Sequence, residues 1–83
     1  MVIIDRKRTA RSRVLNTKLS HRILSLCEER GLSQRQLALQ AELDPSYISR
    51  IIRGQTEPGI VTVEALAYVF GLTLSEFFEG VTR

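Results

Sequence analysis

Serines and arginines occur together in the segment PSYISRIIRG, residues 45–54, and their spacing suits a helix. At about 100° per residue, Ser46, Arg50 and Arg53 share one side of that helix, and the isoleucines cluster on the opposite side. Arginine can donate two hydrogen bonds to the O6 and N7 atoms of guanine, and the short serine allows close approach. Such a helix fits the major groove of DNA, with a merely solvated polar side as the alternative.

The polar side chains in and around this helix divide into predicted base contacts and predicted phosphate contacts. Arg50 is the predicted base contact, with phosphate binding as the alternative, and Arg53 at the helix end is a predicted phosphate contact. Gln34 and Arg35 begin the preceding helix, whose positive N-terminal dipole suits a phosphate. The predicted DNA-binding residues are Gln34, Arg35, Pro45, Ser46, Tyr47, Ser49, Arg50, Arg53, Gln55 and Thr56.

The sequence supports neither catalysis nor metal binding. His21 and Cys27 are the only histidine and the only cysteine, so a zinc cluster and an intramolecular disulfide are both excluded. No carboxylate pair at catalytic spacing and no glycine-rich phosphate loop occurs. We therefore expect no enzyme, no cofactor, no metal site and no small-molecule ligand. His21 is expected on the surface, and Cys27 as a buried apolar group.

The elements that must position these side chains are predicted to be five helices with no strand. Helix 1 begins near Thr9 or after a cap at Asn16, and it ends at Gly31 in a left-handed cap. The helical spacing that predicts it is that of Val14, Leu15, Leu19, Ile23 and Leu26. Helix 2 spans about residues 34–41 behind a capping box of Ser33 and Gln36. Helix 3 follows an Asp44 cap and has Pro45 in its first position.

The C-terminal segment is predicted to contain helix 4, which stops at Gly71, and a short helix 5 that starts at Thr73 or Ser75. It carries more apolar side chains than one short terminal helix can bury. We expect Leu74 and either Phe77 or Phe78 to complete the core and the others to form a two-fold patch, with burial in the core alone as the alternative. The predicted dimer interface comprises Leu72, Leu74, Phe77, Phe78 and Val81.

Charge is distributed unevenly along this 83-residue chain of net charge +3. Residues 1–18 hold six basic residues against one acidic residue, and the remainder holds six basic and eight acidic residues. We therefore assign residues 1–13 to a basic arm, which could lie along phosphates or enter a minor groove, and residues 14–83 to the folded domain. No apolar run has the length of a membrane span, and the start lacks the charge order of a secretion signal. We expect a cytoplasmic location.

The segments LSQRQLA, YISRIIRG and EPGIVTVEALAYVFGLTLSEFF carry a family resemblance. From about Leu19 to Gly80, the chain resembles the lambda-repressor and Cro domains of the xenobiotic-response-element family, and LDPSYIS is similar to restriction–modification controllers. The resemblance implies an all-α, five-helix lambda-repressor-like DNA-binding domain with its helix-turn-helix at helices 2 and 3. It also implies that Gln34 clamps the DNA backbone.

The function implied is that of a transcriptional regulator that binds an inverted-repeat operator in double-stranded DNA as a homodimer. The alternative is an antitoxin of a toxin–antitoxin pair that also autoregulates its operon. A toxin-binding antitoxin often has an extra tail, and only the basic arm could serve as one here. Co-purification with a second small protein would favour this alternative.

Three positions depart from the family pattern. Glu42 stands in the turn where glycine is frequent, and a left-handed backbone there would cost roughly 1 kcal/mol. Cys27 and Ile52 replace an arginine–glutamate ion pair, and we predict that these two apolar side chains touch. Gly59 replaces a capping serine before helix 4.

Overall fold

Five helices follow one another along the chain in the computed structural model. The structure describes the backbone of residues 2–82 and the side chains of residues 14–81. Within residues 2–82 there is no strand, which confirms the all-α prediction. The helices are α1 (Val2–Arg30), α2 (Gln34–Ala41), α3 (Pro45–Ile52), α4 (Ile60–Val69) and α5 (Leu74–Thr82).

Helix α1 is longer than the sequence pattern indicates. It begins at Val2, whereas the expected starts were Thr9 and Asn16. Neither glycine nor proline occurs in residues 1–18, so no residue type there interrupts the helix. The predicted end is confirmed, because Gly31 follows the helix with a left-handed φ of +64°.

The apolar residues at helical spacing on α1 are not all buried. Val14 and Leu15 are 57% and 43% exposed, and among the described side chains of α1 burial begins at Leu19. From Leu19 onward the helix packs against α3 and α5, which cover its buried apolar side chains. The side chains of the predicted basic arm, residues 1–13, lie outside the described residues, and the boundary of the arm stays a prediction.

Helices α2 and α3 begin at the predicted caps. The Ser33 hydroxyl oxygen accepts a hydrogen bond from the Gln36 N–H at 3.0 Å, and Gln36 Oε1 accepts one from the Ser33 N–H at 2.8 Å. Asp44 Oδ1 accepts a hydrogen bond from the Ser46 N–H at 2.8 Å, and Pro45 occupies the first turn of α3. Local sequence therefore defines where both helices start.

The turn between these helices has a left-handed residue at its centre. Glu42 has φ 56° and ψ 43°, the conformation for which glycine is preferred. Two backbone hydrogen bonds close the turn, from the Glu42 N–H to the Leu39 carbonyl at 3.2 Å and from the Leu43 N–H to the Ala38 carbonyl at 2.9 Å. The strain expected for glutamate at this position is therefore present, at roughly 1 kcal/mol.

Helices α4 and α5 differ in how they begin. Gly59 gives α4 no side-chain cap, as predicted, whereas Thr73 and Glu76 form reciprocal hydrogen bonds of 2.9 and 3.1 Å at the start of α5. The two helices are bent by 97° relative to each other. Within residues 2–82, no single helix combines the length and apolar character needed to cross a membrane. Taken together, the bent pair α4 and α5 has that length and composition, and nothing else indicates a membrane span.

One hydrophobic core joins all five helices. Ile48 and Ile51 are buried in it, as predicted for the inner side of α3, and so is Cys27. Cys27 and Ile52 belong to the same buried cluster, and their direct contact stays a prediction. Among residues 14–81, the core consists of Leu19, Ile23, Leu26, Cys27, Leu37, Ala38, Ile48, Ile51, Ile52, Val63, Leu66, Ala67, Phe70, Phe77 and Val81.

The predicted dimer interface needs a correction at two positions. Phe77 is 0% exposed and Val81 is 2% exposed within a single protomer, so neither side chain can reach a second one. Both are buried because α5 packs against α1 and α4. Leu72, Leu74 and Phe78 are only partly buried and retain surface that a partner could cover.

Candidate nucleic-acid interface

Helix α3 separates its apolar and polar sides completely. Ile48 is 1% exposed and Ile51 is 2% exposed, while Ser46, Arg50 and Arg53 are exposed. The inner side packs against both α1 and α2, and the Ser20 hydroxyl donates a hydrogen bond to the Ile52 carbonyl. The outer side is thus presented by a helix fixed along its length, which favours a defined geometry toward a ligand.

Two hydrogen bonds organise the serines on the outer side. The Ser46 hydroxyl donates to Asp44 Oδ1 at 2.8 Å, and Arg53 Nη2 donates to the Ser49 hydroxyl oxygen at 2.7 Å. The hydroxyl and the N–H of Ser46 lower the pKa of Asp44, because both hydrogen bonds stabilise the ionised carboxylate. Ser46 and Ser49 are therefore already oriented before any ligand arrives.

Arg50 is the most available cation of the helix. Its Cζ atom lies 5.9 Å from the centre of the Tyr47 ring, a cation–π contact that restrains the side chain while leaving it exposed. The Tyr47 hydroxyl lies 3.4 Å from the Thr62 hydroxyl on α4, so the ring that supports Arg50 bridges two helices. Within the described part of the chain the Arg50 guanidinium forms no hydrogen bond, and its five N–H groups remain open to acceptors.

The predicted phosphate contacts lie on elements next to α3. Gln34 and Arg35 are exposed at the start of α2, directly after the cap, and α2 packs against α3. Gln55 is exposed and Thr56 is half-buried in the loop that follows α3. Pro45, at the first position of α3, is also exposed. Each predicted contact residue thus keeps some surface, and contact with DNA itself stays a prediction.

Sequence reasoning missed two partners of this surface. It assigned Asp44 only to capping, although the same carboxylate oxygen also binds the Ser46 hydroxyl, and it did not single out Thr62. The spacing of Asp44 and Ser46 by two residues was a usable signal for the first contact, because such a pair can bond locally. No sequence signal pointed to the second contact, because it joins two helices.

A separate apolar surface lies at the opposite end of α2. Val61 and Tyr68 on α4 are 76% and 83% exposed and line an open cleft of about 650 Å³ that reaches Leu72 and Leu74. The C-terminal end of α2 forms another wall of this cleft, through Gln40, Ala41 and Glu42. None of the predicted DNA-binding residues lines it. The two surfaces are therefore distinct.

These features define a helix-turn-helix domain. They are a capped helix, a tight left-handed turn, and a second helix whose inner side is apolar and buried and whose outer side is polar. The chain matches the HTH_3 helix-turn-helix family over residues 23–77, and it belongs to this family. These residues include α2, α3, α4 and most of the core-contacting part of α1.

Relatives of this chain are regulators and controller proteins. It is 38% identical over 64 residues to the HTH-type transcriptional regulator DdrOP3 of Deinococcus deserti, which covers 77% of this chain and 50% of that protein. It is 36% identical over 56 residues to the control protein C.MunI of Mycoplasma sp, which covers 68% of this chain and 76% of that protein. The chain spans half the length or less of several curated regulators that it matches.

Solved structures of the family have the same arrangement of helices. The restriction-modification controller protein C.AhdI from Aeromonas hydrophila superposes with a TM-score of 0.72 at 33% sequence identity, covering 76% of this chain and 96% of that one. These likenesses confirm the predicted family and the lambda-repressor-like fold. The family consists of DNA-binding domains of transcriptional regulators and is not a family of enzymes.

Proposed function

We propose that this protein is a sequence-specific transcriptional regulator that binds an inverted-repeat operator as a homodimer in the cytoplasm, without a small-molecule ligand. The observation that carries the proposal is the outer side of α3, where Arg50 is exposed and held over Tyr47 while the isoleucines are buried. A rigid helix that presents arginine and serine to solvent matches the acceptors and donors of the major groove. The likeness to control proteins supports a regulatory role.

Within this proposal, the contact residues divide by function. Arg50 contacts a guanine edge, with Ser46, Ser49 and Pro45 close to neighbouring bases. The remaining contacts go to phosphates, which fix the position of the protein on the duplex without selecting sequence. These phosphate contacts are Gln34, Arg35, Tyr47, Arg53, Gln55 and Thr56.

The dimer surface in this proposal is the apolar cleft between α2, α4 and α5. Leu72 and Leu74 were predicted from the sequence, and the exposed Val61 and Tyr68 extend the surface onto α4. An exposed cluster of this kind is typical of an interaction site. A second copy related by a two-fold axis would place two α3 helices one DNA turn apart, about 34 Å, on an inverted repeat.

The DNA-binding proposal can be tested by selecting bound duplexes from a random pool with the full chain. We expect a two-fold symmetric site. Arg50→Ala should relax the preference at one base per half-site, by about 1–3 kcal/mol. Arg53→Ala is the matched control, since loss of a phosphate contact weakens binding to all sequences and reduces the salt slope by about one. Failure of the wild type to enrich any sequence at low ionic strength, or unchanged specificity in Arg50→Ala, would contradict the proposal.

The dimer proposal calls for analytical ultracentrifugation. Leu74→Glu and Tyr68→Glu should shift the protein toward monomer and weaken operator binding, because a charge would be buried at the two-fold surface. Leu39→Glu is a matched control, since Leu39 is 77% exposed and does not line the cleft. A wild-type chain that stays monomeric at high micromolar concentration would refute this surface.

A further inference from the structure

The two serines on the outer side of α3 differ in what their hydroxyl groups can still do. An ionised carboxylate only accepts hydrogen bonds, so Ser46 must be the donor in its 2.8 Å contact with Asp44 Oδ1. A carboxyl group with the ordinary aspartate pKa is ionised at neutral pH, and the two hydrogen bonds from Ser46 lower the pKa of Asp44 further. The hydrogen atom of the Ser46 hydroxyl is therefore engaged, and only its oxygen lone pairs face solvent.

The Ser49 hydroxyl takes the opposite part in its hydrogen bond, accepting where Ser46 donates. A guanidinium group only donates hydrogen bonds, so Ser49 must be the acceptor in its 2.7 Å contact with Arg53 Nη2. The Ser49 hydroxyl keeps its hydrogen atom and one lone pair, and it can donate to a base acceptor or to a phosphate. The fold has thus made one serine an acceptor and the other a donor.

The base edges in the major groove include both donors, which suit an accepting hydroxyl, and acceptors, which suit a donating hydroxyl. Adenine and cytosine present an exocyclic amine there, at N6 and N4, whereas guanine and thymine present a carbonyl oxygen at the equivalent place. Phosphate oxygens only accept, so Ser46 in this state has nothing to offer a phosphate. Its complement is an amine-bearing base.

The spacing of Ser46 and Arg50 limits where that base lies. Residues four apart on a helix are neighbours, about 5–6 Å between their Cβ atoms. Successive base pairs are about 3.4 Å apart along the duplex. Ser46 therefore lies over a base pair within about two steps of the guanine assigned to Arg50.

Each base pair carries an amine on one strand and a carbonyl oxygen on the other. We infer that Ser46 selects adenine or cytosine, rather than guanine or thymine, on the strand that its hydroxyl faces, within two base-pair steps of the guanine that Arg50 contacts. This inference rests on the proposed function, since it assumes that α3 enters the major groove. Ser46 is then a specificity-determining residue, and Asp44 is the positioning residue that sets the polarity of its hydroxyl.

The first experiment compares duplex selections by the wild type, Ser46→Ala and Ser46→Thr. The wild type should enrich adenine or cytosine at the Ser46 position, Ser46→Ala should lose that preference, and Ser46→Thr, which keeps a hydroxyl, should retain it. The backbone N–H of residue 46 can still bind Asp44 in both variants, and circular dichroism checks that both are folded. Loss of a guanine or thymine preference in Ser46→Ala would overturn the inference.

The second experiment removes the amine from the DNA instead of the hydroxyl from the protein. The selected base is replaced by purine in place of adenine, or by 2-pyrimidinone in place of cytosine. We expect the wild type to bind this duplex roughly 2- to 13-fold more weakly, the loss of one neutral hydrogen bond, and Ser46→Ala to bind both duplexes alike. Equal weakening of both proteins would overturn the inference while leaving DNA binding intact. A wild type that enriches no sequence would overturn the proposed function itself.

Discussion

Two arginines of α1, Arg22 and Arg30, differ from the two arginines in and directly after α3, Arg50 and Arg53, in what the same side chain does in one small domain. Arg22 donates from Nε to the Phe77 carbonyl and from Nη2 to the Glu76 carbonyl, both at 3.0 Å. Arg30 donates from Nε and Nη2 to the Phe70 carbonyl at 3.2 and 3.0 Å. Among the described side chains, the guanidinium groups of Arg50 and Arg53 bind no backbone carbonyl.

The difference lies in the acceptors that each pair can reach. Phe70 is the C-cap of α4, and carbonyl groups at a helix end lack partners within the helix. A cation placed there satisfies a carbonyl and interacts favourably with the helix dipole. Arg22 and Arg30 are thus part of the framework, and net charge alone does not indicate how many cations remain for DNA.

The sharpest contrast is expected between Arg50→Ala and Arg30→Ala. Arg50→Ala should reduce base discrimination by about 1–3 kcal/mol and leave the unfolding midpoint unchanged, because its contact within the protein is a surface contact. Arg30→Ala should lower the free energy of unfolding by about 1–2 kcal/mol, since a half-exposed pair of charge-assisted hydrogen bonds is lost. Urea unfolding and duplex binding measure the two effects. If the two variants changed the same property, the contrast would not hold.

The Arg22 anchor can be examined through Gly80. A Cβ atom added at Gly80 would lie 2.4 Å from the Arg22 Cζ atom, so Gly80→Ala must displace the guanidinium from its carbonyl partners. In an Arg22→Ala background this conflict is absent, and Gly80→Ala should stabilise α5 by about 0.8–1.0 kcal/mol through helix propensity alone. In the wild type the same change should gain less or destabilise. Additive effects in this double-mutant cycle would contradict the role of Arg22.

The turn before α3 provides a change that should affect the framework but not the DNA surface. Glu42→Gly removes the cost of a left-handed glutamate, while the unfolded chain gains flexibility. We expect a net stabilisation of about 1 kcal/mol or less and an unaltered base preference within each half-site, with the dimer equilibrium measured alongside because Glu42 also lines the proposed dimer cleft. Glu42→Ala is the control, since alanine keeps the strain. A Glu42→Gly protein less stable than the wild type in thermal unfolding would refute this.

The smallest expected effect concerns Asp44 and acid. The pKa of Asp44 is lower in the folded protein than its ordinary value of 3.8, because the Ser46 hydroxyl and N–H bind the carboxylate. The folded state therefore binds this proton less readily than the unfolded state. The ionised group stabilises the fold fully at pH values above its pKa in the unfolded chain. This stabilisation is lost as the pH falls through the folded pKa. Thermal unfolding of the wild type and Asp44→Asn should thus differ more at neutral pH than in strong acid, and a constant difference would exclude the linkage.

The sequence by itself determined the local features of this protein. Ser33 and Asp44 fix the starts of α2 and α3, because a side-chain cap acts on N–H groups two or three residues away. The inward isoleucines and the outward Arg50 follow from helical periodicity, since a marginally stable domain must bury an apolar helix side. These features use contacts within one or two turns, which a pattern of residue types can encode.

Tertiary structure decided everything that depends on which elements meet. Val14 and Phe77 both occur in apolar helical patterns, yet only Phe77 is buried, because α5 lies against α1 and nothing among the described residues covers Val14. Arg22 and Arg50 have the same chemistry, and only the fold places carbonyl groups of α5 beside the first. Burial and hydrogen-bond partners at large sequence separation are properties of the assembled helices, so the division between framework and DNA surface could be established only from the packed structure.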